Sequence, residues 1–473
     1  MILLSLVGWL RYQNQLTSTN NPSEETIIEF QPLTSYYLTM AEQHNKKLHI
    51  AMFPWLAFGH IVPFFELAKL IAQKGHKISF ISTPRNIQRL PKLPVNLQPL
   101  VDFIELPLPH LDKLPENAEA TMDLPEHLVP YLKKAFDGLE EPLTKFLERS
   151  TPDWILHDVV PHWLPPISSK LGILCILFSI FSAFGISFVL DLLSRNPSVF
   201  PEQNESGVSD IFRLQETIRG AQVFAPRSCK EIEGESLKSL ESNCMKPVIP
   251  VGLLPPSLDF SEERSDENWD TIVNWLDKQE KGSVIYVAFG SEVTLSNEDF
   301  TELALGLELS GFPFFWVLKK QNSDSADSHD WIENQSNKKG MVWRTWAPQM
   351  RILAHKSIGG FLTHCGWSSV IEGLQVGCPL IMLPFQNEQM LVARFMEGKK
   401  LGVKVSKNQH DGKFTRDSVA KALRSVMLEE EGKSYRCQAE ELSKIVGDKE
   451  LHQKYVDEFV DYMEIHRLAI KDY

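Results

Sequence analysis

The chain has no run of lysine and arginine of the kind that tracks a phosphate backbone, and 48 Lys+Arg against 61 Asp+Glu leave a net charge of −13. Nucleic acid is therefore set aside as a partner. It also lacks CxxC pairs and His/Cys clusters at metal spacing. Its six cysteines (Cys175, Cys229, Cys244, Cys365, Cys378 and Cys437) are scattered, a pattern of reduced thiols that makes a cytoplasmic location the expectation. The apolar opening MILLSLVGWL is only about ten residues, where a membrane-spanning helix needs about 20. No basic segment or small-residue cleavage site marks it as a secretion signal, so no integral membrane span is expected. The turn after the first strand-like run reads LAFGH, without the GxGxxG of a nucleotide-dependent dehydrogenase. No pair of facing carboxylates suggests a glycosidase, and no internal repeat is evident.

What is present is enough chain for two cores. At 473 residues, two globular units with a cleft between them are expected, and 43% hydrophobic with 23% charged residues fits a soluble globular composition. From residue 47 onward, short β-rich runs alternate with amphipathic helices, the signature of parallel sheets covered on both faces. KLHIAMFPW reads as a buried strand, Pro63 as the opening of a helix that stops at Gly75, and KISFIST and PDWILHDVV as further strands. After a Pro- and charge-rich connection, SVIYVAFGS starts a second series. The expected organisation is a flexible extension over 1–46, an N-terminal Rossmann-like domain over 47–250 and a linker over 251–270. A C-terminal Rossmann-like domain follows over 271–450, and a last helix over 451–473 is expected to pack back on the first domain. The fold class is α/β, two doubly wound domains facing across a cleft.

The densest chemistry lies between Trp346 and Gln389, WAPQMRILAHKSIGGFLTHCGWSSVIEGLQVGCPLIMLPFQNEQ. GGFLTHCG is strand-like and WSSVIEGLQVG helix-like, which puts His364 at a strand's carboxyl end and Gly366 to Ser369 at a helix N-terminus, where anions bind. Ser368 and Ser369 add hydroxyl donors and His364 a ring N–H, a set suited to a diphosphate, although two serines also make a plain helix cap. Glu372, a turn further along, can accept from two vicinal hydroxyls such as those of a ribose. Trp346 offers a flat face for a base, with core packing as its alternative. Glu388 and Gln389 stand after a strand, where they can bind further hydroxyls or simply form a polar loop.

In register, W-A-P-Q, H-C-G-W, E-G and E-Q closely resemble the signature box of plant UDP-dependent glycosyltransferases, family 1 enzymes of GT-B fold, and the resemblance runs from about residue 47 to the end. It implies that Trp346 stacks on uracil, that Ala347 and Gln349 contact the uridine, and that His364, Ser368 and Ser369 hold the diphosphate, with Trp367 also among the donor-binding residues. Glu372 would bind the ribose, Glu388 and Gln389 the donor sugar, and Ser291, after YVAFG, a phosphate. Many members carry Asn at the position of Ser368 and Asp at that of Glu388.

A transferase needs a base for the acceptor hydroxyl. His60, between the first strand and first helix, is the candidate, because a helix N-terminus disfavours the imidazolium; a capping or buried histidine is the alternative. Asp158, at the end of PDWILHD on another strand of the same sheet, can fix the ring's tautomer, with Asp123 in ATMDLP as second choice. His157 should point to the opposite side of its strand. The resemblance carries over His60 as base and Asp158 as its partner. It implies an inverting displacement with no cofactor beyond the UDP-sugar co-substrate, and no metal, since the helix terminus, His364 and the serines neutralise the leaving diphosphate.

The acceptor is expected in an apolar pocket of the first half, near Phe58, Phe181, Phe184 and Phe385. PWLAFGHIVPF and STPRNIQRLPKLP resemble the subgroup that adds a sugar to one already present, which makes a triterpenoid saponin or flavonoid glycoside the expected acceptor and UDP-glucose or UDP-rhamnose the donor. A glucosyltransferase of aglycones and a non-catalytic nucleotide-sugar-binding protein are the alternatives. A monomer is expected. Because residues 11–45 are polar and Met40 stands just before the first strand-like run, a chain begun at Met40 should match the full chain in transfer rate; a clear loss of rate would give the first 39 residues a role.

Overall fold

The computed structural model describes residues 47–196, 204–260, 267–318, 339–428 and 430–467. The expectations for residues 1–46 and for Met40 lie outside them. Within this range the first six strands are β1 (His49–Phe53), β2 (Lys77–Ser82), β3 (Val101–Glu105), β4 (Trp154–His157), β5 (Leu174–Ser179) and β6 (Val223–Pro226), in a sheet of order β3-β2-β1-β4-β5-β6 with every pair parallel. The second sheet holds β7 (Val284–Ala288), β8 (Phe314–Val317), β9 (Gly340–Trp343), β10 (Ile358–Thr363), β11 (Leu380–Met382) and β12 (Gly402–Lys404), in the order β12-β11-β10-β7-β8-β9, again all parallel. Renumbered from their own first strands, the two sheets share one topology, the doubly wound order that reverses between the first and fourth strands. These are the two Rossmann-like halves expected from the alternating pattern.

Strands buried on both faces need side chains for two cores, and the period of two supplies them. Along β1, Ile50 and Met52 join the cluster under the helix Phe58–Gln73, while Ala51 and Phe53 join Phe136, Leu143 and Trp163 on the other face. Along β7, Val284 and Tyr286 face one cluster and Ile285 and Val287 another. The first helix starts five residues before Pro63, which lies inside it. Ala57 caps it: its carbonyl accepts from the amides of His60 and Ile61, both at 2.8 Å. Proline forfeits one bond, to the carbonyl four residues earlier, and the turn ahead of it is anchored by the chain leaving β1. That extra turn carries His60.

Residues 251–260 form no helix or strand, with left-handed φ at Gly252 and Leu254, and the helix Glu267–Leu276 begins inside the stretch read as linker. The helix Lys449–His466 lies on the first half: Val456, Phe459, Val460 and Met463 are buried with Ile50, Phe64 and Trp154, and the Trp154 indole N–H donates to the carbonyl of Met463 at 3.1 Å. An Arg467–Asp153 ion pair at 2.8 Å closes its end. No helix among the described residues is long and apolar enough to cross a membrane. Phe459→Ala empties a fully buried ring site and should lower unfolding stability by about 3–5 kcal/mol in chemical denaturation; an unchanged midpoint would show that this helix does not stabilise the first half.

Candidate active site

In an open parallel sheet the crevice forms at the carboxyl ends of the strands, where the order reverses. In the first sheet that point lies between β1 and β4, paired through Phe53↔His157, and the chain leaving these strands supplies His60 and Asp158. His60 Nδ1 lies 2.7 Å from Asp158 Oδ2, with the histidine side chain 13% exposed and the aspartate fully buried. Asp158 also accepts from the backbone amides of Trp55 at 3.1 Å and Val159 at 2.7 Å, so its carboxylate is held at three points. A carboxylate on Nδ1 fixes the proton there and leaves Nε2 as an acceptor for a substrate proton. Burial presses the imidazolium down, yet Asp158, with Glu292 and Glu388 behind it, outweighs burial and holds the His60 pKa above its ordinary value. The helix-terminus effect read from the sequence has the opposite sign and is overridden by the carboxylates.

His157 faces away, as the strand alternation requires. It is buried, Nδ1 lies 2.7 Å from its neighbour's carbonyl, and burial pushes its pKa down to about 4. Asp123 is bound by both guanidinium nitrogens of Arg89, at 3.0 and 2.6 Å, and by the amides of Glu119 and Ala120. It serves to fold its own connection.

His60 lines a cavity of about 540 Å³ bounded by both halves. Trp55, Val160, Phe181, Ile186 and Leu214 give it apolar wall, and Thr121, Glu126, Lys133, Asp210, Arg213, Glu292, Gln386 and Glu388 line it as well. Of the four phenylalanines singled out in the sequence, Phe181 lines it and meets the His60 ring edge-on, with centroids 5.4 Å apart. The others pack elsewhere. Phe58 sits against the first core beneath Arg89, Phe184 stacks on Phe395 at 4.9 Å, and Phe385 meets Phe289 edge-on at 5.5 Å. Phe184 and Phe385 are spent on contacts between elements that only the folded chain brings together.

The second sheet repeats the arrangement. Its reversal lies between β7 and β10, and the turns leaving those strands carry Ser291 and His364. The His364 ring is wedged between two glycines: a Cβ on Gly290 would stand 2.8 Å from Nε2, and one on Gly366 2.6 Å away. Any larger residue at either position would displace the imidazole. Burial pushes its pKa down to about 4, so it is neutral, and among the described residues Nδ1 is buried without a hydrogen-bond partner. Cys365 adopts a left-handed φ of 69° to turn the chain into the helix Trp367–Gln375, whose first turn bears Ser368 and Ser369.

Trp346 lies three residues past β9 in a loop, 77% exposed, a bare indole face at the rim. Ala347 is half-buried against the core behind it. Gln349 accepts from the Tyr286 hydroxyl at 3.1 Å and donates Nε2 to Glu372, so the glutamate is aimed by a chain that starts in the core. Burial raises the Glu372 pKa, against the opposing pull of Gln349 and Arg227. Trp367 is buried; its indole N–H donates to the carbonyl of Arg227 at 3.0 Å, and its ring reaches the cavity wall.

Glu388 is on the first turn of the helix Asn387–Gly398, facing the cavity, and burial lifts its pKa to about 7 while His60 pulls it down. Gln389 is buried, and its Oε1 accepts from the amides of Phe385 at 2.9 Å and Gln386 at 3.1 Å. It shapes the turn that presents Glu388. Sequence reasoning passed over Trp55, Thr121, Glu292 and Arg227. Glu292 had a signal, since it follows the β7 turn at the sheet's reversal; Arg227 had none.

A parallel-sheet pair with a His–Asp dyad at one reversal and an anion-binding helix start at the other defines a two-domain transferase of nucleotide-activated groups. Residues 265–466 match the family model described as UDP-glucoronosyl and UDP-glucosyl transferase. The chain is 44% identical over 462 residues to UDP-glycosyltransferase 91D2 of Stevia rebaudiana, covering 90% of this chain and 97% of that protein. It is 41% identical over 460 residues to the soyasaponin III rhamnosyltransferase of Glycine max, covering 90% and 98%. Its fold superimposes on Arabidopsis thaliana UGT89C1 complexed with UDP-L-rhamnose with a TM-score of 0.74, at 26% identity over 89% of this chain and all of that one. The chain belongs to the plant family 1 UDP-dependent glycosyltransferases of GT-B fold, and it is an enzyme of that class.

The dyad carries a prediction in pH. A base works only when deprotonated, so with its pKa held above the ordinary value, kcat/KM should climb with pH on a limb above about 6.5. Asp158→Asn removes the largest upward influence; that limb should move to lower pH while the rate falls at least about 100-fold. A limb that stays in place would detach His60 from the rate.

Proposed function

We propose that the protein transfers a hexosyl group, glucose or rhamnose, from a UDP-sugar to a hydroxyl on the sugar of a plant glycoside, with a triterpenoid saponin or a flavonoid glycoside as the acceptor class. The observation that carries this reading is the composition of the cavity around the base: His60 with Asp158 behind it, Thr121, Glu292, Gln386 and Glu388 in the same lining, and apolar side chains such as Trp55, Phe181, Ile186 and Leu214 interspersed with Glu126, Lys133, Asp210 and Arg213. A sugar's hydroxyls need several acceptors close to the reacting oxygen, and an aglycone needs apolar volume a few ångströms further on. A flat aglycone reacting through its own hydroxyl would instead bring apolar surface against those carboxylates and leave them desolvated and unpaired. The soybean relative, by its name, moves rhamnose onto a saponin.

The acceptor O–H gives its proton to His60 Nε2 while its oxygen forms the bond to the anomeric carbon from the face opposite the leaving group. The bond from that carbon to the diphosphate oxygen breaks, UDP leaves with the electron pair, and the configuration inverts. Asp158 stabilises the imidazolium as it forms. The start of the helix Trp367–Gln375, with Ser291, Ser368, Ser369 and neutral His364, receives the charge on the leaving diphosphate. Trp346 carries the uracil, with Ala347 and Gln349 at the uridine, and Glu372 accepts from the ribose. Glu388 and Gln389 serve the donor sugar, Glu388 by direct contact and Gln389 by holding the turn.

His60→Ala should abolish transfer while UDP still binds in calorimetry. UDP-glucose and UDP-rhamnose, each incubated with matched aglycones and glycosides, should give mass-spectrometric products from the glycosides. Modification of aglycones alone would overturn the acceptor assignment, and near-normal turnover by His60→Ala would overturn the mechanism.

A further inference from the structure

Arg227 follows β6, in the half of the chain that carries the dyad, yet its side chain reaches the donor half. It is 3% exposed. Its Nε donates to the carbonyl of Leu253 at 2.7 Å, Nη2 to that of Leu254 at 3.2 Å, and Nη1 to the hydroxyl of Ser368 at 2.6 Å. Its own carbonyl accepts from the Trp367 indole, and its amide donates to Ser179, so the residue is fixed at both ends. All three of its side-chain acceptors are neutral. Among the described residues no carboxylate stands within ion-pair distance, and the acidic groups that influence it, Glu372 and Glu66, act from further away. Burial pushes the guanidinium pKa down to about 10, which still leaves it charged at neutral pH.

A buried cation served only by neutral acceptors is expensive, and the expense is relieved when an anion arrives nearby. Here the neighbouring hydroxyl stands on the helix start that faces the leaving diphosphate. A serine oxygen that accepts from a guanidinium has its own proton free to point elsewhere, and the charge behind it strengthens what that proton donates. We propose that Arg227 is a positioning residue for the donor diphosphate, acting through Ser368: guanidinium N–H to hydroxyl, hydroxyl O–H to phosphate oxygen. The relay gives Ser368 a charged donor behind its hydroxyl, so that its proton is directed outward from the helix start. It also makes one half of the molecule sense the donor held by the other, since the same guanidinium clamps the connection at Leu253 and Leu254.

The proposal rests on the donor site being a UDP site, which binding of UDP by the wild-type chain tests separately. The experiment compares UDP and uridine by calorimetry in the full chain, because uridine lacks the phosphates and a merely structural role for Arg227 would affect both. Arg227→Gln keeps hydrogen-bond donors for the carbonyls and removes the charge; it should weaken UDP at least about ten-fold and leave uridine within about two-fold. Arg227→Lys keeps the charge but offers one nitrogen where the guanidinium uses three, and it should lose clearly less UDP affinity than Arg227→Gln. Equal losses for UDP and uridine, no loss for either, or a lysine variant as weak as the glutamine one would overturn the assignment. Should Arg227→Gln fail to fold, Ser368→Ala leaves Arg227 on its two carbonyls and must still weaken UDP selectively over uridine; unchanged UDP affinity there would equally end the relay.

Discussion

Every strand in both sheets runs parallel to its neighbours, and in each sheet the order reverses once. That constraint decides where chemistry can sit. Parallel strands deliver the chain to the same edge after every strand, and at the reversal two successive connections leave in opposite directions, which opens a gap no helix fills. His60 and Asp158 leave β1 and β4; Ser291 and His364 leave β7 and β10. The two ends are the same place in the same topology, one carrying the His60–Asp158 pair and the other a helix start with two serines.

The side chains at these gaps share a second property: they are ionisable groups held away from water. Burial lifts Glu372 and carries Glu388 to about 7, and it drives His364 down to about 4. Each shift has burial as its leading cause, and strongly shifted groups gathered at a cleft are a mark of functional sites. His60 is the exception, because three carboxylates outweigh its burial. A neutral histidine beside a leaving diphosphate is a hydrogen-bond donor that needs no counter-ion, whereas a base must be able to take on charge. The two histidines differ because one has Asp158 against its ring and the other has only glycines.

The alternation of strands and helices and the HCGWSS turn were legible because they are local: a period of two, a period near 3.6 and a helix start are written in adjacent letters. The two members of the dyad were legible because each lies in the connection that leaves a strand-like run, Asp158 directly after β4 and His60 in the first turn of the helix after β1. What the sequence hid was tertiary. β3, β6 and β12 are only five, four and three residues long and too weakly patterned to stand out. Three of the four phenylalanines proposed for the acceptor pocket went elsewhere, since an aromatic residue near the right strand end carries no mark of which neighbour claims it. Gln389 looked like a free polar group, yet its carbonyl oxygen is committed to two backbone amides. The sign of the His60 shift is set first by Asp158, with Glu292 and Glu388 adding to it, and only the fold shows that these carboxylates outweigh both burial and the helix start.

The contacts across the cleft follow from splitting the chemistry between two sheets. A base on one half and a leaving group on the other must reach a fixed separation, so the halves need links that are specific yet able to yield. Thr121 donates to Glu292 at 2.6 Å directly beside the base, a neutral-to-charged bond at the cavity mouth that an acceptor hydroxyl can replace one for one. Trp367 and Arg227 form the opposite kind of link: the Trp367 indole donates to the Arg227 carbonyl and the Arg227 guanidinium to Ser368, with both residues buried. Replaceable bonds where the acceptor enters and permanent ones under the nucleotide would let the acceptor come and go while the donor half keeps its register. A cleft held by exposed ion pairs alone could not do this, because such pairs contribute about 0–1 kcal/mol each and fix no geometry.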